Sequence, residues 1–118
     1  MKLWIAIVVL MLATVGHAGN AGVSNYFTGN EMLELCESDD FGEREACHGF
    51  LAGIADVSAT YDGLADFNSG FCIPGNVSVN QLRRIVIKGL NAEPEELHLD
   101  ASALVVGIFR AAFFCITE

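Results

Sequence analysis

Cys47 and His48 stand side by side, the residue types from which a thiolate nucleophile and its general base are made. Neighbours on a helix point about 100° apart, so this imidazole cannot easily reach this thiol. In an oxidising compartment such a cysteine is spent on a disulfide. Asp66-x-Asn68-x-Gly70 begins like a calcium loop. That loop needs glycine at its sixth position and glutamate at its twelfth, where this chain has Phe71 and Val77. Glu95-x-x-His98 could set two ligands on one helix face, as half of a di-iron site does, but no second half is present. Capping or packing is the ordinary use of His98. Gly-x-Ser-x-Gly, a phosphate-cradling glycine loop and His-Glu-x-x-His are all missing. Asn76-Val77-Ser78 has the form of a glycosylation sequon, which matters only in a eukaryotic secretory route. The acids Asp39, Asp40, Glu43, Glu45, Asp62 and Asp66 have no spacing that fixes a hydrolytic carboxylate pair. These residues point to a binding protein rather than an enzyme, with no metal and no cofactor.

The chain that must carry such a surface opens with Lys2, an apolar run from Leu3 to Val15, and then Gly16-His17-Ala18. A basic start, a hydrophobic segment and a small-x-small site are the layout of a secretory signal peptide, residues 1–18, cleaved after Ala18 or equally after Ala21. The apolar run is about a dozen residues, short of the roughly 20 that span a bilayer. About 100 residues remain, 19–118, enough for one domain with a modest core. The formal net charge is -9, which argues against nucleic acid and anionic lipid surfaces as partners and suits a basic one. All four cysteines, Cys36, Cys47, Cys72 and Cys115, lie beyond the signal segment. An even count in a short exported chain reads as a disulfide framework. Three pairings are possible and the sequence alone does not choose. Cys36–Cys47 with Cys72–Cys115 is favoured, since the first ties two successive helices across a short turn. The second returns the chain end to its middle, a long closure that contributes about 4 kcal/mol. No Cys-x-x-Cys pair supports zinc.

Helical periodicity dominates and strand-like alternation is absent, so the expected fold is all-α, a bundle of four to five helices stapled by two disulfides. A first short helix starts at an Asn30 cap and runs to about Cys36. A second runs from about Glu43 to Tyr61, with Cys47, Phe50, Leu51, Ile54, Val57 and Tyr61 forming one apolar stripe. Its other side aligns Gly49, Gly53 and Asp56. Glycine inside a helix costs about 1 kcal/mol against alanine, so this face is expected to admit another helix closely, making the second helix central. A loop from Asp62 to Gly75 follows. A third helix opens with the capping box Ser78/Gln81 and buries Leu82, Ile85, Val86 and Leu90, with Arg84 and Lys88 pointing away. Pro94 suits a short turn through His98. The last helix, from near Asp100 to about Phe114, is apolar nearly all round, which suits either the buried centre or half of a dimer interface containing Ile108.

An ordered set of residues now carries a resemblance across the whole mature chain. It comprises Leu33-x-x-Cys36, Cys47-x-Gly49-Phe50-x-x-Gly53-x-x-Asp56, Phe71-Cys72-x-Pro74, Val79-x-Gln81-Leu82, Glu93-Pro94-Glu95-x-x-His98, and Ala101 to Phe114-Cys115. This resembles the Rap/Tai family of periplasmic immunity proteins, made by bacteria with type VI secretion against their own peptidoglycan-cleaving amidase toxins. Phe114-Cys115 departs from the Pro-Cys expected there, which loses a turn constraint. The resemblance implies an all-helical, often dimeric protein that occludes the cleft of a cysteine–histidine amidase. Its matched residues are mostly structural, and partner surfaces tend to lie in exposed loops. The expected contact is therefore the loop Tyr61 to Ser69, with Tyr61, Asp62, Asp66 and Asn68, together with the acidic turn at Asp39 and Asp40. Two other readings compete: an acid-stress chaperone that would lose compactness when its carboxylates protonate at about pH 2 to 3, and a lipid-binding helical module that would bind hydrophobic dyes when native.

Overall fold

The computed structural model describes residues 25–64 and 67–116. The expected signal peptide, its cleavage sites and Asp66 lie outside them. Four helices follow one another, α1 (Gly29–Glu37), α2 (Phe41–Asp62), α3 (Val79–Ala92) and α4 (Ala101–Ala112), with a 3-10 turn at Pro94–Glu96 between the last two. The fold is all-α, as expected. The only β pairing among the described residues is two isolated bridges, Thr28 with Asp100 and Phe71 with Phe114.

The cap of α1 is Thr28, not Asn30. The Thr28 hydroxyl accepts from the Glu31 amide at 3.3 Å, and the Glu31 carboxylate accepts from the Thr28 amide at 2.8 Å. That reciprocal pair needs a glutamate three residues on, and only Thr28 has one. The next orphan donors are also satisfied, Gly29 N donating to the Leu99 carbonyl and Asn30 N to that of Leu97, both at 2.8 Å. α1 is therefore sewn to the segment that starts α4. α2 begins earlier than Glu43 because Asp40 caps it, its carboxylate accepting from Glu43 N at 3.0 Å. Ser38 braces that turn, accepting from Asp40 N at 3.0 Å and donating to the Glu43 carboxylate. α3 opens on Ser78, which accepts from Gln81 N at 3.1 Å. α4 stops two residues short of Phe114, because Phe113 turns its carbonyl to accept from Cys72 N at 2.7 Å.

Each helix contributes one stripe to a shared core: Met32 and Cys36 from α1, Cys47 and Leu51 from α2, Leu82, Val86 and Leu90 from α3, and Ala101, Val105 and Phe109 from α4. Phe71, from the loop, sets its ring against Phe109 at 5.4 Å between centroids. No helix is central. α2 leaves Val57 and Tyr61 exposed, and α4 leaves Ala103, Gly107 and Ala111 exposed, so α4 is not buried all round. Bundles this small have one core between helices, and a fully enclosed helix would need a further layer outside it. The two disulfides are Cys36–Cys47 and Cys72–Cys115. The first ties α1 to α2 inside the core, and the second ties the end of the chain to the loop after α2. Arg83 fixes α3 on α1, donating from Nε to the Cys36 carbonyl at 2.7 Å, where a cation suits the helix C-terminus.

Candidate functional site

The residues expected to meet a partner fall into two places. Asp39 and Asp40 precede α2, and Asp40 is occupied as its cap. Tyr61, Asp62 and Asn68 lie at its other end. A helix of 22 residues is about 33 Å long, so the two groups do not form one patch. The C-terminal end of α2 is the built one. Ser69, almost fully buried, donates from its amide and its hydroxyl to the Asp62 carboxylate at 2.7 and 2.5 Å. Arg110 of α4 donates from Nε to the Ser69 carbonyl at 2.6 Å. Gly70 follows at φ +82°, a left-handed conformation that glycine adopts without strain, and its amide donates to the Asn68 side chain at 2.9 Å.

These bonds hold an exposed aromatic pair. Tyr61 and Phe67, each about half exposed, stand 5.6 Å apart between ring centroids, with Val57 and Leu64 also exposed nearby in the chain. Beside them runs a groove of about 460 Å³ between α2 and the strap after Phe71, lined by Ala55, Asp56, Ala59 and Asp62 on one side and by Ile73 and Pro74 on the other. Exposed aromatic side chains on a backbone that is already ordered are what protein interfaces use as anchors. The structure thus brings Asp56, Tyr61, Asp62 and Asn68 to one end of the molecule. Asp66 lies outside the described residues.

The expectation for Gly49 and Gly53 is corrected. A methyl group at either would meet no atom of another element within 4 Å. Among the described residues no helix packs closely on that face, which borders an open apolar groove with Phe50, Ile54 and Val57 of α2 and Val106 of α4. Close approach occurs instead at Gly29 and Gly89. A methyl at Gly29 would stand 2.9 Å from the Leu97 carbonyl oxygen, and one at Gly89 would stand 2.6 Å from Ile108. Gly89, interior to α3, carries the same signal as Gly49 and Gly53. Ile108 is half-buried against it, so a charge at Ile108 would disturb α3–α4 packing whatever the oligomeric state. Ser69 and Arg110 carry no local signal, since their partnership spans 41 residues.

All four cysteines are disulfide-bonded, so Cys47 offers His48 no thiol. His48 instead faces Glu45, Nδ1 to Oε1 at 3.1 Å. Among the described residues no group of three or more His, Cys, Asp or Glu side chains could hold a metal ion, and no helix is long and apolar enough to cross a membrane.

A search of curated proteins and a search of solved structures each return no match. A family model described as Rap1a immunity proteins matches residues 28–115, from the Thr28 cap of α1 to the cysteine that closes the second disulfide. With most of the chain and every described helix inside that match, the protein belongs to the Rap1a family of immunity proteins.

Proposed function

We propose that this immunity protein acts in the periplasm, where it binds and occludes a peptidoglycan amidase delivered by type VI secretion and so protects the producing cell. One observation carries the reading: the family match takes in every cap, disulfide and core stripe that makes the fold. The finer statements rest on chemistry. Two disulfides suit an oxidising compartment, the first residues have the layout of an export signal, and cell-wall amidases act in that same space. An occluding protein needs no catalytic groups of its own. It needs a rigid surface, because order already present in the free protein is not charged against binding. The pinned end of α2, with Tyr61 and Phe67 outward, is the surface assigned to the toxin.

The test is co-expression in the periplasm with the amidase encoded beside this gene. Survival of the cells, a stable complex and silenced amidase activity are expected. Tyr61→Ala with Phe67→Ala should weaken that complex by roughly 30-fold, the scale of an interface anchor. Lysis despite expression, with no complex, would overturn the reading.

A further inference from the structure

A third concave surface lies between α3 and α4, and no residue of the loop from Tyr61 to Ser69 lines it. Leu90 of α3, Leu97 after the 3-10 turn, and Leu104 and Ile108 of α4 line a groove of about 380 Å³. It is open because Ala103, Gly107 and Ala111 of α4 are small, and a methyl at Gly107 would meet nothing within 4 Å. Glu93 and Glu96 stand at its edge, with Glu95 between them in sequence. Arg110 reaches to Ser69 from one side of α4 while Ala111, about 100° round the helix, lines this groove.

We propose that the α3–α4 groove is a second docking surface of the immunity protein, and that it takes an apolar side chain of the toxin flanked by lysine or arginine. The inference rests on the protein having a toxin partner. Charge complementarity selects the occupant. Among the described residues no lysine or arginine lies within ion-pair distance of Glu93, Glu95 or Glu96; the one contact of that kind is His48 with Glu45. The hydrogen bond between Glu93 and Glu95, and then the like charges of Glu95 and Glu96, hold the Glu93 carboxyl above the usual carboxylate range. Negative charge is thus crowded at the edge, and an incoming cation relieves that crowding. A second copy of this chain docked symmetrically would set the same carboxylates against each other. Anionic lipid and nucleic acid would be repelled in the same way. A cationic protein segment with an apolar anchor matches both the floor and the edge.

The probe is a short synthetic amphipathic peptide of leucine and lysine, set beside its leucine–glutamate counterpart and followed through backbone amide shifts of the isotope-labelled protein. The leucine–lysine peptide should move amides from Gly89 to Glu96 and from Ala103 to Ala111, and the glutamate peptide should not. Gly107→Leu fills an open face of a helix and should keep the fold by circular dichroism while abolishing those shifts. Glu93→Gln with Glu96→Gln should weaken binding on the order of 10-fold at low salt, two exposed ion pairs' worth. Shifts spread over the whole acidic surface, or untouched by Gly107→Leu, would overturn the groove. So would a dimer mass that Gly107→Leu abolishes, since a second copy would then be the occupant. Failure of the two readings is distinguishable. Protection from the amidase that survives Gly107→Leu undiminished sinks the groove alone. Peptide binding in the groove with no protection against the amidase sinks the amidase reading and keeps the groove.

Discussion

Ser69 is a small polar residue in a loop, yet it is almost completely buried and hydrogen-bonded to Asp62, Phe71 and Arg110. Its two donors meet Asp62 and its carbonyl meets Arg110, so this one residue holds the end of α2, the loop and α4 together. Ser69→Ala removes the hydroxyl and leaves a carboxylate oxygen short of a partner. That should cost about 1–2 kcal/mol in urea unfolding and weaken the toxin complex more than its distance from Tyr61 would suggest. Unchanged toxin affinity would mean the loop is not held by this network. Two glutamates respond to pH with opposite signs. The Glu31 carboxyl is held below its usual range by the Thr28 amide and then by the Thr28 hydroxyl, so its contribution is present above the unfolded pKa and is lost as pH falls through the folded one. The Glu93 carboxyl is held above its usual range by Glu95, so its contribution is present at low pH and is lost as pH rises through its folded pKa. Glu93→Gln should therefore raise the melting temperature at pH 7 and lose that advantage in acid. The same gain at both pH values would show that charge is not the cause.

At the scale of elements, the helices begin where caps put them and end where tertiary bonds pull the chain away. α4 could continue through Phe114 by hydropathy, but the Phe113 carbonyl and the Cys115 sulfur are both claimed by the segment around Cys72. Glycines separate the two kinds of helix face. At Gly29 the neighbour is Leu97 backbone, which cannot rotate aside, so Gly29→Ala should destabilise by about 1–3 kcal/mol. At Gly49 and Gly53 space is open and the helix gains from alanine, so each Gly→Ala change should stabilise by about 0.5–1 kcal/mol. Thermal or urea denaturation of the three variants checks the contrast. Destabilisation at Gly49 would mean that face is covered in solution. Helical spacing made the elements legible in the sequence, with Cys47 and Leu51 buried and Phe50 and Ile54 half-buried as that spacing requires. It could not say which side of α2 another helix would choose, because both sides carry small or apolar residues.

For the molecule as a whole, the two disulfides have different standing. Cys72–Cys115 closes 43 residues and Cys36–Cys47 closes 11. Loop entropy alone assigns them about 4.0 and 2.8 kcal/mol. The longer one is the more accessible, Cys72 being exposed, whereas Cys36 and Cys47 are fully buried. Mild reduction followed by alkylation and mass analysis should find Cys72 and Cys115 modified first, because a thiolate must reach the sulfur it attacks. Modification of Cys36 before Cys72 would contradict this burial. Charge also acts at this scale. Arg83 and Arg110 spend their guanidinium groups on backbone carbonyls, which leaves a chain of net charge -9 with its acidic field little compensated. Association with a basic toxin should slow as salt rises toward 0.15 M, where charges beyond about 8 Å are screened.

The sequence by itself determined the helical class, all four helix starts to within two residues, the disulfide count and the family, because caps, 3.6-residue spacing and cysteine order are local or one-dimensional properties. Tertiary structure alone decided that α2 is not enclosed, that Gly29 and Gly89 rather than Gly49 and Gly53 are the tight glycines, and that the Asp39–Asp40 turn lies a helix length from Tyr61. It also decided that Ser69 and Arg110 hold the loop after α2, and that the α3–α4 groove exists at all. Each of these depends on which residues distant in the chain come within a few ångströms of one another, and no local pattern encodes that distance.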